Sequence, residues 1–460
     1  MDKRKILAVK ASVLAVAAVF GAPSHVAAAD TSVQFYGHLD LSVDGATKGI
    51  KEGGAGQNPA PEGKVGWQAD VSSNLSYFGF RGDHDIGRGY KMVFQVETQV
   101  DVAATPGPSP VNQASQGNVD NKVLAALGSR NSFLGIAGNF GAFKLGKTDA
   151  PYKLSTARMD PFSATVGDYN SIMGNTGGDN RAEFDTRLSH AMWYESPKWG
   201  GASFSALFAP GQNRASDNSN NASGEPDCTG GGTGRGTVPN PLPATPPATA
   251  NVSIGPCNDG SFGDAFSVAG VYEVGPLYGI LAYEMHRKAN RSGDDPVNVA
   301  VADEAAMKAG VQYVVTPNTI LNVIVERMTR KNPDPNFNER QRNGSWLALT
   351  QKITGQDDIN VGWAHAAKSP GQPGGGDSGV TANPGPVDNA SNMYTVGYKH
   401  HFDKQSNWYA VYARQANHAG GHYDLGASGH GITTDCKDAA PACFTGETLQ
   451  AVSVGWMYSF

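Results

Sequence analysis

Hydrophobic and polar residues alternate with a period of two along stretch after stretch of this chain. Near its end, Val452, Val454, Trp456, Tyr458 and Phe460 share one face, and Ala451, Ser453, Gly455 and Ser459 share the other, with Met457 alone spoiling the contrast. Near its start, Val33, Phe35, Leu39, Leu41 and Val43 alternate with Gln34, Tyr36, His38, Asp40 and Ser42. Tyr90, Met92, Phe94, Val96 and Val100 do the same against Lys91, Gln95, Glu97 and Gln99. Successive side chains of a β-strand point to opposite sides, so this period predicts strands. The pattern predicts sixteen of them, over 33–43, 71–81, 90–101, 130–137, 142–147, 187–195, 202–209, 264–273, 278–287, 305–315, 320–329, 344–353, 358–366, 392–401, 408–416 and 449–460.

The connections between these strands alternate strictly in length. Short ones are rich in turn formers: Gly82 to Gly89, Gly138 to Gly141, Ser196 to Gly201, Gly275-Pro276, Thr316 to Thr319, Gly355 to Asp357 and Asp403 to Asn407. Long ones run over 44–70, 102–129, 148–186, 210–263, 288–304, 330–343, 367–391 and 417–448. A soluble β-sandwich has no reason to alternate them. An outer-membrane barrel does, because its periplasmic turns are tight while its outer loops are free to be long, and an even strand number returns both termini to the periplasm. The fold predicted is therefore all-β, a 16-stranded antiparallel transmembrane β-barrel with short periplasmic turns and long extracellular loops. A barrel of that size leaves an aqueous lumen. Tyr77, Tyr90, Tyr194, Trp199, Tyr278, Trp346, Trp408 and Phe460 lie near strand ends, where aromatic girdles are expected.

Composition agrees. With 39% hydrophobic and 17% charged residues and 58 glycines in 460, the chain departs from an ordinary soluble domain. After the N-terminus no apolar run is long enough for a transmembrane helix. Residues 1–29 have the layout of a secretory signal peptide: Lys3, Arg4, Lys5 and Lys10, an apolar stretch from Ala11 to Ala22, and Ala27, Ala28 and Ala29 before Asp30. The barrel then occupies 30–460. Residues 1–29 hold four of the 36 basic and one of the 42 acidic residues, so 32 basic face 41 acidic ones in the remainder, and no basic footprint for nucleic acid is present. All four cysteines lie in the exported part, where disulfides form. Three pairings are possible; local grouping favours Cys228 with Cys257 and Cys436 with Cys443. Neither pair has metal-site CxxC spacing.

Four stretches, Ser76 to Gly87 (SYFGFRGDHDIG), Ser129 to Thr148 (SRNSFLGIAGNFGAFKLGKT), Arg158 to Gly174 (RMDPFSATVGDYNSIMG) and Arg187 to Gly211 (RLSHAMWYESPKWGGASFSALFAPG), resemble the Gram-negative general porins of the neisserial and β-proteobacterial type. The C-terminal Trp456, Tyr458 and Phe460 resemble the signal that outer-membrane assembly machinery reads. The resemblance implies a homotrimer of barrels in the outer membrane, surrounded by lipid and lipopolysaccharide, with the third long loop folded into the lumen. The long fourth and eighth loops, each with two cysteines, depart from the family pattern.

The third long loop, 148–186, carries Asp149, Asp160, Asp168, Asp179, Glu183 and Asp185 with few hydrophobic residues, as suits a segment in water inside a pore. A basic wall opposite would orient solutes and filter ions. Strand phase points Arg81 inward from Phe78 and Phe80, Lys144 inward from Phe143 and Leu145, and Arg414 with Tyr412 inward from Val411 and Ala413. Arg130 has conflicting phase; Lys147 and Arg158 sit at the loop base. The constriction expected is thus Arg81, Lys144, Arg130, Lys147, Arg158 and Arg414 facing Asp160 and Asp168. The Gly230 to Gly236 tract lacks the strand and helix of a phosphate loop, the histidines at 400, 401, 418, 422 and 430 lack ligand spacing, and no GxSxG or HExxH occurs. No catalytic residue or cofactor is implied. Passive diffusion of ions and small hydrophilic solutes is the function expected; a substrate-selective channel or a secreted β-rich hydrolase or adhesin are the alternatives.

Overall fold

The structure, a computed structural model, describes residues 31–48, 66–103, 128–174, 184–210, 237–238, 252–253, 263–290, 301–330, 341–368, 388, 390–419, 423, 425 and 448–460. Residues 1–29 and all four cysteines lie outside them. Sixteen strands close into one antiparallel barrel: β1 Thr31–Lys48, β2 Gly66–Ser73 continued by Tyr77–Gly87, β3 Tyr90–Gln99, β4 Ser132–Gly138, β5 Gly141–Asp149, β6 Arg187–Glu195, β7 Ala202–Pro210 and β8 Asp264–Val274, then β9 Leu277–Asn290, β10 Val301–Thr316, β11 Thr319–Arg330, β12 Arg342–Lys352, β13 Asp357–Ala366, β14 Ser391–His401, β15 Ser406–Asn417 and β16 Thr448–Ser459. The alternation of short and long connections persists throughout, as predicted.

Closure is made by β1. It pairs with β16 from His38↔Ser459 to Ala46↔Ala451 and with both halves of β2. Phe460 completes the seam: its N–H donates to the Gly37 carbonyl and its own carbonyl oxygen accepts from the Gly37 N–H, both at 3.0 Å, while its ring lies 5.3 Å from that of Phe35. In hydrocarbon a strand edge has no water to satisfy it, so the seam is an obligation of the fold.

The two faces separate as the alternation requires. Val33, Phe35, Val43, Val452, Val454, Trp456 and Tyr458 are exposed to the outside, and Asp40, Ser42, Asp44, Ala451 and Ser453 are buried inside. In β2 the inward set changes parity. Ser72 pairs with Ser42 above a break at residues 74–76, and Arg81 pairs with Gln34 below it. Leu75 takes a left-handed φ of 54° there, and the Asn74 side chain donates to Asp40, Ser42 and Tyr409. This shift keeps both Val71 and Phe80 outside although they lie an odd number of positions apart, which in an unbroken strand would put them on opposite faces. The turn after β2 is Arg88-Gly89, both at positive φ (57° and 79°), which matches the twist of a two-residue hairpin.

Three expected girdle residues face the other way. Tyr77, Tyr278 and Trp346 point into the barrel: Tyr77 lies under Arg130, and Trp346 is 1% exposed. Arg414 is also corrected. Val411 and Ala413 are buried inside at 4% and 0%, so Arg414 stands on the outer face with Tyr394 across from it. Near the extracellular strand end a charge can reach the headgroups, so the midplane cost of a lipid-facing arginine is avoided there.

The seam generates a prediction. A side chain on Gly37 would begin 2.4 Å from the Phe460 ring. Gly37→Val and deletion of Phe460 should each cut the yield of folded, heat-modifiable barrel severalfold, read from gel migration with and without boiling. Unchanged yield in both would mean that this seam contact is dispensable.

Candidate functional site

The third long connection leaves the top of β5 and descends into the barrel. Pro151 sits at the start of a short helix, α1 (Pro151–Thr156), where its missing amide proton costs nothing. Single 3-10 turns at Ala157–Met159 and Tyr169–Ser171 follow. Contrary to the expectation of a hydrophilic loop, its inner face is apolar. Met159, Phe162, Val166, Ile172 and Met173 are at most 1% exposed and pack on Ile280, Ile324, Trp346, Ala348, Ala364 and Met393 of the β9–β14 wall. Each such side chain fully buried stabilises by about 1.5–3 kcal/mol. The Phe162 ring meets Trp346 edge-on at 6.2 Å and lies over Gly362, where a Cβ would sit 2.9 Å from it and 2.3 Å from Trp346. Glycine at 362 therefore makes room for the loop.

Polar bonds fix the loop's height. The Trp346 indole donates to the Met159 carbonyl at 3.1 Å, and the Tyr278 hydroxyl donates to the Ser155 carbonyl at 2.8 Å. Glu326 accepts from the Tyr152 hydroxyl at 2.7 Å and from the Gly174 amide at 2.9 Å, holding both ends of the described loop to one carboxylate. Lys308, the cross-strand partner of Glu326, donates to Thr156 at 2.8 Å, pairs with Asp185 and lies 3.9 Å from the Tyr152 ring centre. Arg342 donates to the Ile172 carbonyl. Behind Phe184, which stacks on it at 4.9 Å, His286 bridges Glu284 and Glu304. None of these wall groups stands out in the sequence as a site residue. Their one signal is charge on strands that are otherwise apolar on both faces.

Asp160 and Asp168 are not free pore charges. They are 9% and 2% exposed. Asp160 accepts from the amides of Phe162 and Tyr169, and Asp168 from those of Ala164 and Asn170, so both carboxylates shape the loop's own turns. Short acidic side chains readily take such backbone amides. Burial, and then the adjacent Asp168 charge, hold the Asp160 carboxyl well above the ordinary carboxylate range. Burial likewise pushes Asp185 up to about 6 against the pull of Lys308.

With the loop seated on β8–β14, Leu154, Ala157 and Arg158 on its free face are exposed and Lys153 is partly so, and Arg158 is held on the loop's own side by Glu273 of β8; the wall opposite the seat is β1–β7. That wall is cationic. Arg81 lies 4.6 Å over the Tyr36 ring and donates to Gln34, and Arg130 pairs with Glu97 at 2.6 Å over the Tyr77 ring. Lys144 is inward and pairs with Glu195 at 2.7 Å. Lys147 lies at the bulge of β5 beside Asp149 and Arg187. Carboxylates here are shared between cations. Asp149 holds both Arg187 (3.1 Å) and Lys153 (3.2 Å), and Glu273 holds both Arg158 (2.8 Å) and Lys198 (2.9 Å). Of the residues expected at a constriction, Arg81, Arg130 and Lys144 thus lie on the inner face of the wall opposite the loop, Arg158 is held by the loop's own wall, and Asp160, Asp168 and Arg414 do not face the lumen. Among the described residues no cluster of three or more metal-binding side chains occurs.

Comparison with known proteins fits this geometry. A family model described as Gram-negative porin matches residues 11–420. Over 200 residues the chain is 28% identical to the major outer membrane protein P.IA of Neisseria meningitidis serogroup A, a match covering 41% of this chain and 45% of that protein. The matched stretch therefore spans less than half the length of that relative. An anion-selective porin from Comamonas acidovorans superposes with a TM-score of 0.62 at 18% identity, covering 94% of this chain and all of that one. OmpT, an outer membrane protein of Vibrio cholerae in its trimer form, does so with a TM-score of 0.52 at 12% identity over 94% and 99% of the two chains. At these identities the likenesses bear on the fold.

The loop seat predicts both a packing and a pH effect. Phe162→Ala removes a side chain whose loss typically costs about 3–5 kcal/mol. It should raise open-channel noise in planar bilayers while leaving heat-modifiability intact, because the barrel strands keep their pairing. Asp185, raised to about 6, carries below that pH a proton in the packed loop that it loses when the loop is released and its carboxyl returns to the ordinary range. Packing is therefore favoured as pH falls toward the ordinary carboxylate range and weakens as pH rises through about 6. Current fluctuations should grow from pH 5 to pH 8, and Asp185→Asn should flatten that dependence; fluctuations independent of pH in the unaltered protein would refute it.

Proposed function

Because the chain belongs to the Gram-negative porin family, we propose that it is a passive diffusion channel, carrying ions and small hydrophilic solutes across the outer membrane without a chemical step. Residues 1–29 direct export and are removed, and the barrels assemble as homotrimers after recognition of Trp456, Tyr458 and Phe460 by the assembly machinery. Supporting this, Trp456 and Tyr458 are 56% and 48% exposed on the outer face. The channel reading is carried above all by one observation: the described third loop packs on one side of the lumen, against β9–β14, while the opposite inner wall carries charged side chains such as Arg81, Arg130 and Lys144.

The charge around the lumen favours anions. Exposed Arg81 and Arg158, with Lys153, Lys144 and Arg130, meet carboxylates that are shared or already paired, whereas the loop's own Asp160 and Asp168 are turned away from water. Fixed charges of one sign in a narrow pore raise the local concentration of the opposite ion. Their reach is about 8–10 Å at moderate salt, comparable with a constricted lumen.

The test is a reversal potential across a planar bilayer under a salt gradient. The unaltered channel should prefer anions, with conductance linear in voltage and no saturating block by sugars or amino acids. Arg81→Gln with Arg158→Gln should move the reversal potential toward cations, more at low salt than at high. Asp160→Asn with Asp168→Asn should move it little. A large anion-directed shift in the aspartate pair and none in the arginine pair would reverse the assignment of the selective groups.

A further inference from the structure

A cation is buried where the third and eighth long connections meet the barrel wall. Arg342 opens β12 at its extracellular end and faces inward, opposite Met328 of β11. It is 3% exposed. One nitrogen, Nη2, donates to the Ile172 carbonyl of the third loop. Among the described residues, Nε and Nη1 have no hydrogen-bond partner, and no carboxylate forms an ion pair with the guanidinium. Glu326 stands diagonal to it on the inner face, as the cross-strand partner of Gly344. Both Glu326 oxygens go to the loop instead, Oε1 to the Gly174 amide and Oε2 to the Tyr152 hydroxyl.

Apolar groups seal this cation in. Ile172 and Met173 of the third loop are at most 1% exposed. From the eighth connection, Tyr423 places its ring centre 5.4 Å from the Arg342 Cζ, and Leu425 is buried in the same apolar cluster as Ile172 and Met173. Asn417, the last residue of β15, grips the Tyr423 backbone twice: its side-chain nitrogen donates to the Tyr423 carbonyl at 2.8 Å, and its side-chain oxygen accepts from the Tyr423 N–H at 3.1 Å. A ring at that distance returns only part of the solvation that a guanidinium loses on burial. The packed arrangement is therefore held by the apolar contacts around Arg342 and opposed by Arg342 itself. Such an orphaned buried donor signals a second state in which it finds a partner.

We propose that Arg342 is a latent oxyanion site: when the limb carrying Ile172 and Met173 lifts from the wall, the guanidinium takes a carboxylate or phosphate group arriving from the extracellular side, and the bound anion holds the limb released. A guanidinium fork matches two oxygens of such a group, whereas chloride is a single centre and cannot use the fork. A ligand that binds only the released form raises its population by mass action. With an affinity of about 10 mM, about 100 mM ligand would raise it roughly tenfold. The inference goes beyond the channel reading, and its readout does not depend on conductance. The amides of Ile172 and Met173 both donate to the Tyr169 carbonyl at 2.8 Å, so their hydrogen exchange reports release of the limb.

The experiment follows that exchange by mass spectrometry in the full-length barrel in detergent, at fixed pH and ionic strength. Replacing sodium chloride by sodium phosphate or sodium acetate should quicken exchange in the peptide containing Ile172 and Met173 about tenfold, with the β9 to β14 strands unchanged. A response to phosphate alone or to acetate alone would support the site and identify its ligand. Arg342→Gln should slow the exchange severalfold in chloride and abolish the response to both oxyanions, because the charge that favours release is gone. Should that variant fail to fold, Arg342→Met, apolar and of similar length, carries the same expectation. Faster exchange in the variants than in the unaltered protein would make the guanidinium a plain tie to the Ile172 carbonyl. Equal exchange of the unaltered protein in all three salts, or an oxyanion response that persists in the variants, would put any anion effect elsewhere. Each of these three results would overturn the proposal.

Discussion

Everything in this molecule depends on the absence of water in the membrane interior. A backbone amide or carbonyl exposed to hydrocarbon costs several kcal/mol, so a strand there needs a partner on both sides. Pairing of β1 with β16 and the Phe460–Gly37 bonds meet that demand for the last open edges. Once the sheet closes, inside and outside acquire opposite chemistries, and every residue's role follows from which side its strand phase gives it.

The inside is divided in two. On β8 to β14 the wall is apolar enough to hold the third loop as a folded domain would hold a helix, with Phe162 and Ile172 as the main wedges and Glu326, Lys308 and Arg342 as polar anchors. A buried carboxylate such as Glu326 is tolerable because it accepts from two loop groups, and Lys308 because it has Asp185, Thr156 and the Tyr152 ring. These anchors confer position more than stability. On β1 to β7 the wall stays wet and carries arginines and lysines. In the proposed function, selectivity arises from the asymmetry between the two halves, since Asp160 and Asp168 are consumed by the loop's own turns.

The outside is graded along the barrel axis. Apolar and aromatic rows cover the lower strand ends and the middle, and on β11 to β16 they end at a ring of polar side chains. Arg414 illustrates why position along the axis matters more than residue type. At the midplane it would cost about 2–4 kcal/mol, and near the interface close to nothing.

Much of this was legible from the chain. The period of two, the even strand count and the alternation of short and long connections follow from local residue order, and they specify a large barrel because only a closed sheet uses them together. Arg81 and Lys144 were also legible, since their strands contrast a bulky apolar face with a polar one. Arg414, Trp346 and Tyr278 were not. In β15 the run Trp408, Tyr409, Ala410, Val411, Tyr412, Ala413 is apolar on both faces, so its phase is undetermined until β14 and β16 pair with it. Both faces are apolar there because the inner one is covered by a loop more than two hundred residues distant in sequence. The direction of Asp160 and Asp168 was likewise decided by tertiary structure. A carboxylate in a loop can face water or cap its own backbone amides, and burial of Phe162 and Tyr169 against the wall settled which.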